Sequence, residues 1–474
     1  MKRMAMKAIL WLLLGGWAAA QATGGCHAVS LSGSGTRSGE DWNNSCAGFT
    51  GMCAPDALVR GDRYYVAAGA DYPPVTFASA GSGALRIAIL RATRGAHCTE
   101  VGWNDGFDGE VRWTPPVIFA SSGWVFDGIT GADAGRVAYG FRLVSNQSIT
   151  PFLRVERQAP HPPREIAVRH VEVDGVDCCG IEDTAIGVAA FYYPGDCTQG
   201  LVTGGIELSH VYFHDLKRDP ILVYGVEQLL IDHAYLARNR STRQNHGQGI
   251  ALTGAHGVTI RNSVFEDIAG TAEITFIGYC PSSDVQVYGN RFFYTETWPQ
   301  AAGQKGVSYL FEAIGPRGSV SDLEFYQNTI HHFERPFALN AGFYPDAAGV
   351  RYRVFNNLWV DNTALLSAVE INGSVHDYNS ILNTPLAFNW KRNVHEDVEG
   401  VPPGGARLFL DPQFHLARHT APGIALPLPY SIDPEGQPRG FADGASTQPS
   451  LWDRGAFQLH PSGAADGTKE TPLP

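Results

Sequence analysis

The sequence predicts an all-β fold: a single-stranded parallel β-helix, that is, a solenoid with insertions at its corners. Three observations predict it. Short β-branched or aromatic segments bounded by Gly, Pro and Asp follow one another with no amphipathic helix between them. From Arg164 onward an Asn or His follows the first strand of each repeat, at His170, His210, His233, Asn262, Asn290, Asn328, Asn357 and Asn379. The intervals are 40, 23, 29, 28, 38, 29 and 22 residues; the shorter ones are close to one turn of such a coil and the longer ones imply insertions. The second strands close on Gly225, Gly254, Gly278, Gly315, Gly342 and Gly373, so a second landmark keeps the same register.

Taken in order, residues 1–22 read as a secretory signal peptide. Lys2, Arg3 and Lys7 are its charged part, Ala8 to Trp17 its apolar part, and Ala20-Gln21-Ala22 a small-x-small cleavage site. The apolar run is short for a membrane span, and no later run is long enough. A soluble exported protein is expected. Loss of those three positive charges takes the formal charge from −12 to −15. Such a chain repels nucleic acid at long range, so nucleic acid is excluded as a partner. Residues 23–460 are expected to form the β-helix domain, and 461–474 a flexible tail.

Eight cysteines after an export signal favour disulfides over metal binding. The short loops pair Cys46 with Cys53, and Cys197 with Cys179 or its neighbour Cys178. The Gly/Ser-rich entry, Ser30 to Gly39, lacks the lysine of a phosphate loop and reads as turns. Strands begin at Arg63-Tyr-Tyr-Val-Ala67 and continue through Val75-Thr-Phe-Ala78, Leu85 to Leu90, Val117 to Ala120 and Trp124 to Asp127. In the second strands of the repeats, Ile221, Ile250, Ile274, Phe311, Ala338 and Val369 share one core slot. The outward column beside them reads Leu222, Ala251, Thr275, Glu312, Leu339 and Glu370.

The closing segment contains Leu410-Asp-Pro-Gln-Phe-His415, Thr420-Ala-Pro-Gly-Ile424 and Asp453-Arg-Gly-Ala-Phe-Gln458. The opening contains Gly39 to Asn43, Arg60-Gly-Asp-Arg-Tyr-Tyr-Val66 and Gly123-Trp-Val-Phe-Asp-Gly-Ile-Thr-Gly131. These segments resemble secreted bacterial β-helix proteins of the pectin-lyase-like class, which implies a right-handed coil. The N-terminal half also looks like the alginate lyase and chondroitinase B group. The Asn-Gly-x-Glu-x-x-Arg-x-Gly stretch of that group is missing, and His246-Gly-Gln-Gly-Ile250 stands at a comparable corner without the acid. The class is implied, but its catalytic residues do not carry over.

Chemistry is therefore sought at the corners of Ile206 to Gly278. Five residues after each anchor the slot reads Asp215, Arg238, Asp267, Thr295, Phe333 and Asn362. The line after Leu236 holds Arg238, Arg240 and Arg243 with no acid, then His246. A lyase needs a cation against the substrate carboxylate and a base for the adjacent proton. The three arginines are candidates for the first role, and His246, His214 and Lys217 for the second. Asp215 and Asp267 suit a hydrolase pair, as do Glu312 and Glu370; an ion-pair ladder explains the two aspartates equally. Glu273, Arg218, His332 and Glu334 are candidate substrate-binding residues. The candidate cofactor is Ca²⁺, with Asp105, Asp108 and Glu110 as oxygen donors outside any EF-hand spacing. Three readings stay open: a lyase on a uronate-containing polysaccharide (preferred), a glycoside hydrolase, and a non-catalytic glycan-binding or structural protein. A monomer is expected.

Overall fold

The computed structural model of the protein describes residues 24–69, 71–79, 85–129, 139–144, 151–156, 162–176, 183–189, 203–239, 247–268, 272–278, 280–295, 309–314, 320–333, 335–338, 352–362, 375–382, 394–395, 414–416, 420, 423, 425–426, 430–439 and 452–457. At 309, 313–314, 335–338, 352, 375–377 and 394–395 only the backbone is described.

Among the described residues thirty strands form one continuous sheet, and the strand pairings within it are parallel. This is the right-handed parallel β-helix that the opening and closing segments imply. Three faces make up each turn. The first contains Trp124–Asp127 and residues 166–169, 206–209, 229–232, 258–261 and 285–288. The second contains Phe141–Val144, residues 171–174 and 211–214, then Tyr235–Ala237, Val264–Glu266, Arg291–Phe293 and Thr329–His331. The third contains Ile186–Ala189, residues 221–224 and 250–253, Ala272–Ile277 and Tyr309–Ile314.

Alternation decides what fills the coil. On the second face Leu143, Val173, Phe213, Leu236, Phe265 and Phe292 stack in register, and all are fully buried. Each rung lies about 4.8 Å from the next, so identical slots pack on one another along the axis. The residues between them point outward, and they carry the polar chemistry of this face.

The corners explain the Asn and His anchors and correct their register. The turn from first to second face uses one residue in the left-handed region, at His170, His210, His233, Asn262, Gln327 and Asn356, each with φ between 51° and 56°. Gly289 takes that position with φ 69°. Asn290, Asn328, Asn357 and Asn379 are the next residue along and are fully buried. The expected single column is thus two adjacent columns. In the outer one the imidazoles of His170, His210 and His233 stack at 5.1 and 4.8 Å. In the inner one the carboxamide oxygens of Asn328, Asn357 and Asn379 each accept from the side-chain amide of the Asn one turn below, at 3.0 Å.

The slip has a consequence at the next corner. The left-handed slot after the second face holds Asp215, Arg238 and Asp267, then His332 and Asp361, where Phe333 and Asn362 were expected. Phe333 and Asn362 are instead buried one position further on. Tyr294, not Thr295, follows Phe293 in that slot. On the third face Phe311 pairs with Phe337 and Glu312 with Ala338, so the expected Ala338 core slot is one residue out. Val369, Leu339 and Glu370 lie outside the described residues, as do the closing positions Gly315, Gly342 and Gly373.

Cys46 and Cys53 are bonded, as the short loop predicts. Cys26 pairs with Cys98 across 72 residues, a bridge that spacing does not reveal. Cys280 is also disulfide-bonded; Cys178, Cys179 and Cys197 lie outside the described residues. Among those residues no helix is long and apolar enough to cross a membrane.

Candidate functional site

Two outward columns run side by side on the second face. One reads Arg142, Glu172, Tyr212, Tyr235; the other reads Asp174, His214, Ala237, Glu266. Beyond them lies the left-handed slot with Asp215, Arg238 and Asp267. Successive rungs thereby bring together residues far apart in the chain.

Arg238 is the hub. Its Nε and Nη2 donate to the two carboxylate oxygens of Asp215 at 3.0 and 2.8 Å. Nη2 also donates to the Tyr212 hydroxyl at 2.8 Å and lies 3.2 Å from His214 Nδ1. Among the described residues Nη1 has no hydrogen-bond partner. His214 Nδ1 is 2.6 Å from Asp215 Oδ2, and its Nε2 is 3.2 Å from Glu172 Oε1. The His214 ring stacks on Tyr212 at 4.0 Å, and Tyr212 stacks on Tyr235 at 4.9 Å. Tyr235 donates to Glu266. Arg142 closes the lower edge, 3.1 Å from Glu172 and 2.8 Å from Asp174.

The electrostatics follow from this packing. Burial works against the charge of Asp215, but hydrogen bonds and charge from His214 and Arg238 outweigh it and hold the carboxyl down at about 2. Burial also disfavours the charged forms of His214 and Arg238, and their partners again win: both are raised. Tyr212 is raised by burial despite its Arg238 contact. Asp267 differs. It is buried, with its oxygens taken by Thr295 N and Oγ1 at 2.7 and 2.5 Å, and burial pushes it up to about 6.

The expected site residues separate into three groups. Arg238, His214 and Asp215 converge. Asp267 occupies the next rung but faces Thr295. Lys217 is buried, with its backbone N–H donating to Asp183 at 2.5 Å, and Arg218 lies 3.5 Å from Asp219. Glu273 was expected on the outward strip but is fully buried; burial pushes its carboxyl well above the usual range. His332 lies in the same slot as Arg238, three turns further along. Arg240, Arg243, His246 and Glu334 lie outside the described residues. Glu312 is buried on the third face, away from solvent, and its proposed mate Glu370 is not described. Sequence reasoning missed Arg142, Glu172, Asp174, Tyr212 and Tyr235. For three of them the signal was a single polar or aromatic residue between two core residues, as in Phe141-Arg-Leu143, Val171-Glu-Val173 and Val211-Tyr-Phe213.

The residues for a Ca²⁺ ion do not assemble as expected. Asp108 pairs with Arg91, Asp105 with Arg94, and Glu110 approaches Arg142. Glu172, Asp174 and His214 do converge. However, Arg142 already bridges the two carboxylates, and a hard cation that takes about six to eight oxygens would meet a guanidinium and an imidazole there. This set does not fit calcium.

No protein-family model and no curated protein matches the chain. Among solved structures the chain is similar to pectate lyase Pel9A, at 12% identity and TM-score 0.43, over 93% of this chain and 98% of that one. It is similar to a mutant of the PL6 family alginate lyase AlyGC, at 13% identity and TM-score 0.40, over 71% of this chain. The chain spans about half the length of that protein, 51%. It is also similar to the A-module of the Azotobacter vinelandii mannuronan C-5 epimerase AlgE4, at 11% identity and TM-score 0.26, over 70% and 90% of the two chains.

Proposed function

We propose that the protein is an exported, monomeric enzyme that cleaves a uronate-containing polysaccharide by β-elimination at the Arg238 corner. One observation carries this reading. A guanidinium held by Asp215 keeps Nη1 open, and an imidazole lies 3.2 Å from the same group. In β-elimination a base removes the proton beside the carboxylate. The electron pair forms the C=C bond, the C–O bond to the leaving sugar breaks, and the leaving oxygen takes a proton. Arg238 Nη1 binds the carboxylate and offsets the charge that develops as the proton leaves. His214 Nε2, held by the longer of its two contacts, exchanges Glu172 for the substrate proton and returns that proton to the leaving oxygen. Tyr212 and Tyr235 supply a stacked aromatic wall. Arg240, Arg243 and His246 follow shortly after Arg238 in the chain, outside the described residues.

A hydrolase is the second reading. It is favoured by Asp215 and Asp267, two rungs apart in one slot, with carboxyls near 2 and near 6. Its weakness is that Thr295 occupies both Asp267 oxygens. Incubation with alginate, pectate and glycosaminoglycans separates the two. The lyase produces unsaturated-uronate absorbance on one of them, and Arg238→Ala lowers kcat/KM by about 10²- to 10³-fold. Reducing ends without that absorbance establish the hydrolase instead. Glycan binding without turnover, unchanged in Arg238→Ala, supports a non-catalytic protein.

A further inference from the structure

The corner slot that carries Arg238 continues along the coil to His332 and Asp361, with His331 ending the strand just before His332. Adjacent residues of a strand normally point to opposite sides. Here the two imidazoles stack, with centroids 3.7 Å apart, because His332 has the left-handed backbone of the corner, φ 62°. Asp361 occupies the same slot one turn later, φ 52°. One ligand atom of each residue lies within 4.8 Å of the other two.

Two details suit a metal better than a hydrogen-bonded cluster. His331 Nε2 and Asp361 Oδ2 are 3.4 Å apart. That is long for an N–H···O bond, whose usual length is about 2.9 Å. It matches the roughly 3.4 Å edge of a tetrahedron with bonds of about 2.0–2.1 Å. His332 Nδ1 lies 3.3 Å from the Tyr294 carbonyl oxygen, so its N–H is directed to the backbone and Nε2 keeps its lone pair, the usual arrangement behind a ligating histidine. His331 Nδ1 is buried with no hydrogen-bond partner, so this ring is seated by packing on Phe414 and His332. The side chains of His331 and Asp361 are 19% and 35% exposed, which leaves room for water as a further ligand.

We propose that His331, His332 and Asp361 bind one divalent transition cation of the zinc type. Two imidazoles and one carboxylate select such ions over calcium or magnesium. The ion joins two consecutive turns near the point where Phe414 returns to the second face. The site is independent of the Arg238 chemistry.

Calorimetric titration of the metal-free full-length chain with zinc chloride tests this. The expected result is one site per chain that a large excess of calcium does not compete for. Cobalt bound there is expected to show the visible absorption of a low-coordinate nitrogen and oxygen site. Asp361→Asn and His332→Gln are each expected to weaken binding at least tenfold, and His214→Gln to leave it unchanged. Circular dichroism and a cooperative thermal transition verify folding, and the half-exposed Asp361→Asn keeps the test valid if His332→Gln fails to fold. Absence of zinc binding, or unchanged affinity in Asp361→Asn, overturns the proposal, as does loss of the site in His214→Gln alone.

Discussion

His214 sits between two carboxylates, and this sets how it responds to pH. Asp215 and Glu172 favour the imidazolium more than burial opposes it, so the folded His214 titrates above its ordinary 6.5. A histidine that must be neutral to accept a proton is then competent only above that raised value. Activity is expected to climb with pH on a limb lying above 6.5 and to lose that limb in His214→Gln. Asp215→Asn removes the main anionic partner, so the limb moves to lower pH as Arg238 loses its anchor. A pH–kcat/KM profile of the three proteins checks this; a limb that stays in place in Asp215→Asn removes His214 from the base role. Removing one partner from such a cluster also leaves a buried charge exposed to the low dielectric, so the single substitutions cost more than the net contribution of the pair.

At the scale of the element, the corner asparagines restrain register. Asn357 is fully buried. Its Oδ1 accepts from Asn328 N and Nδ2 at 2.9 and 3.0 Å, and its Nδ2 donates to Phe325 O and Asn379 Oδ1 at 3.0 Å each. A turn gains these bonds only when the turns on either side are in register. Asn357→Leu removes the acceptor of the buried Asn328 N–H, at a cost of about 1–3 kcal/mol. Chemical denaturation measures it, and a loss under about 1 kcal/mol would show that the ladder is replaceable by packing. On the first face, ion pairs such as Arg169 with Glu207 and Arg261 with Asp232 repeat from rung to rung. Asp215 and Arg238 alone would be one more such pair; what sets them apart is the adjoining Tyr212 and His214.

Across the whole molecule, each turn packs mainly on its neighbours, so the coil need not melt as one unit. The Cys26–Cys98 bridge ties the first turns together. Its removal in a Cys26→Ser, Cys98→Ser double variant is expected to cost about 4 kcal/mol in those turns, from loop entropy alone. Calorimetry should then show an early transition for the N-terminal turns with the later one unmoved; a single transition shifted as a whole would mean that the coil is globally cooperative. The coil, its parallel strands and its polar corners were legible in the sequence because they rest on local alternation and on Asn, His and Gly at recurring positions. The register was legible only to within one residue, because an Asn suits both the left-handed corner position and the buried position after it. Which residues share a site was legible only in part: the shared slot put Asp215 beside Arg238, but gave no sign of Arg142, Glu172 or Tyr212. Arg142, Glu172, His214 and Arg238 meet because insertions of different lengths return the chain to the same slot, and insertion length leaves no mark in local periodicity. The sequence by itself determined the fold class and the supply of corner charges. Only the tertiary structure decided which further groups join Asp215 and Arg238, since stacking rung on rung, about 4.8 Å at a time, makes neighbours of residues that the chain keeps far apart.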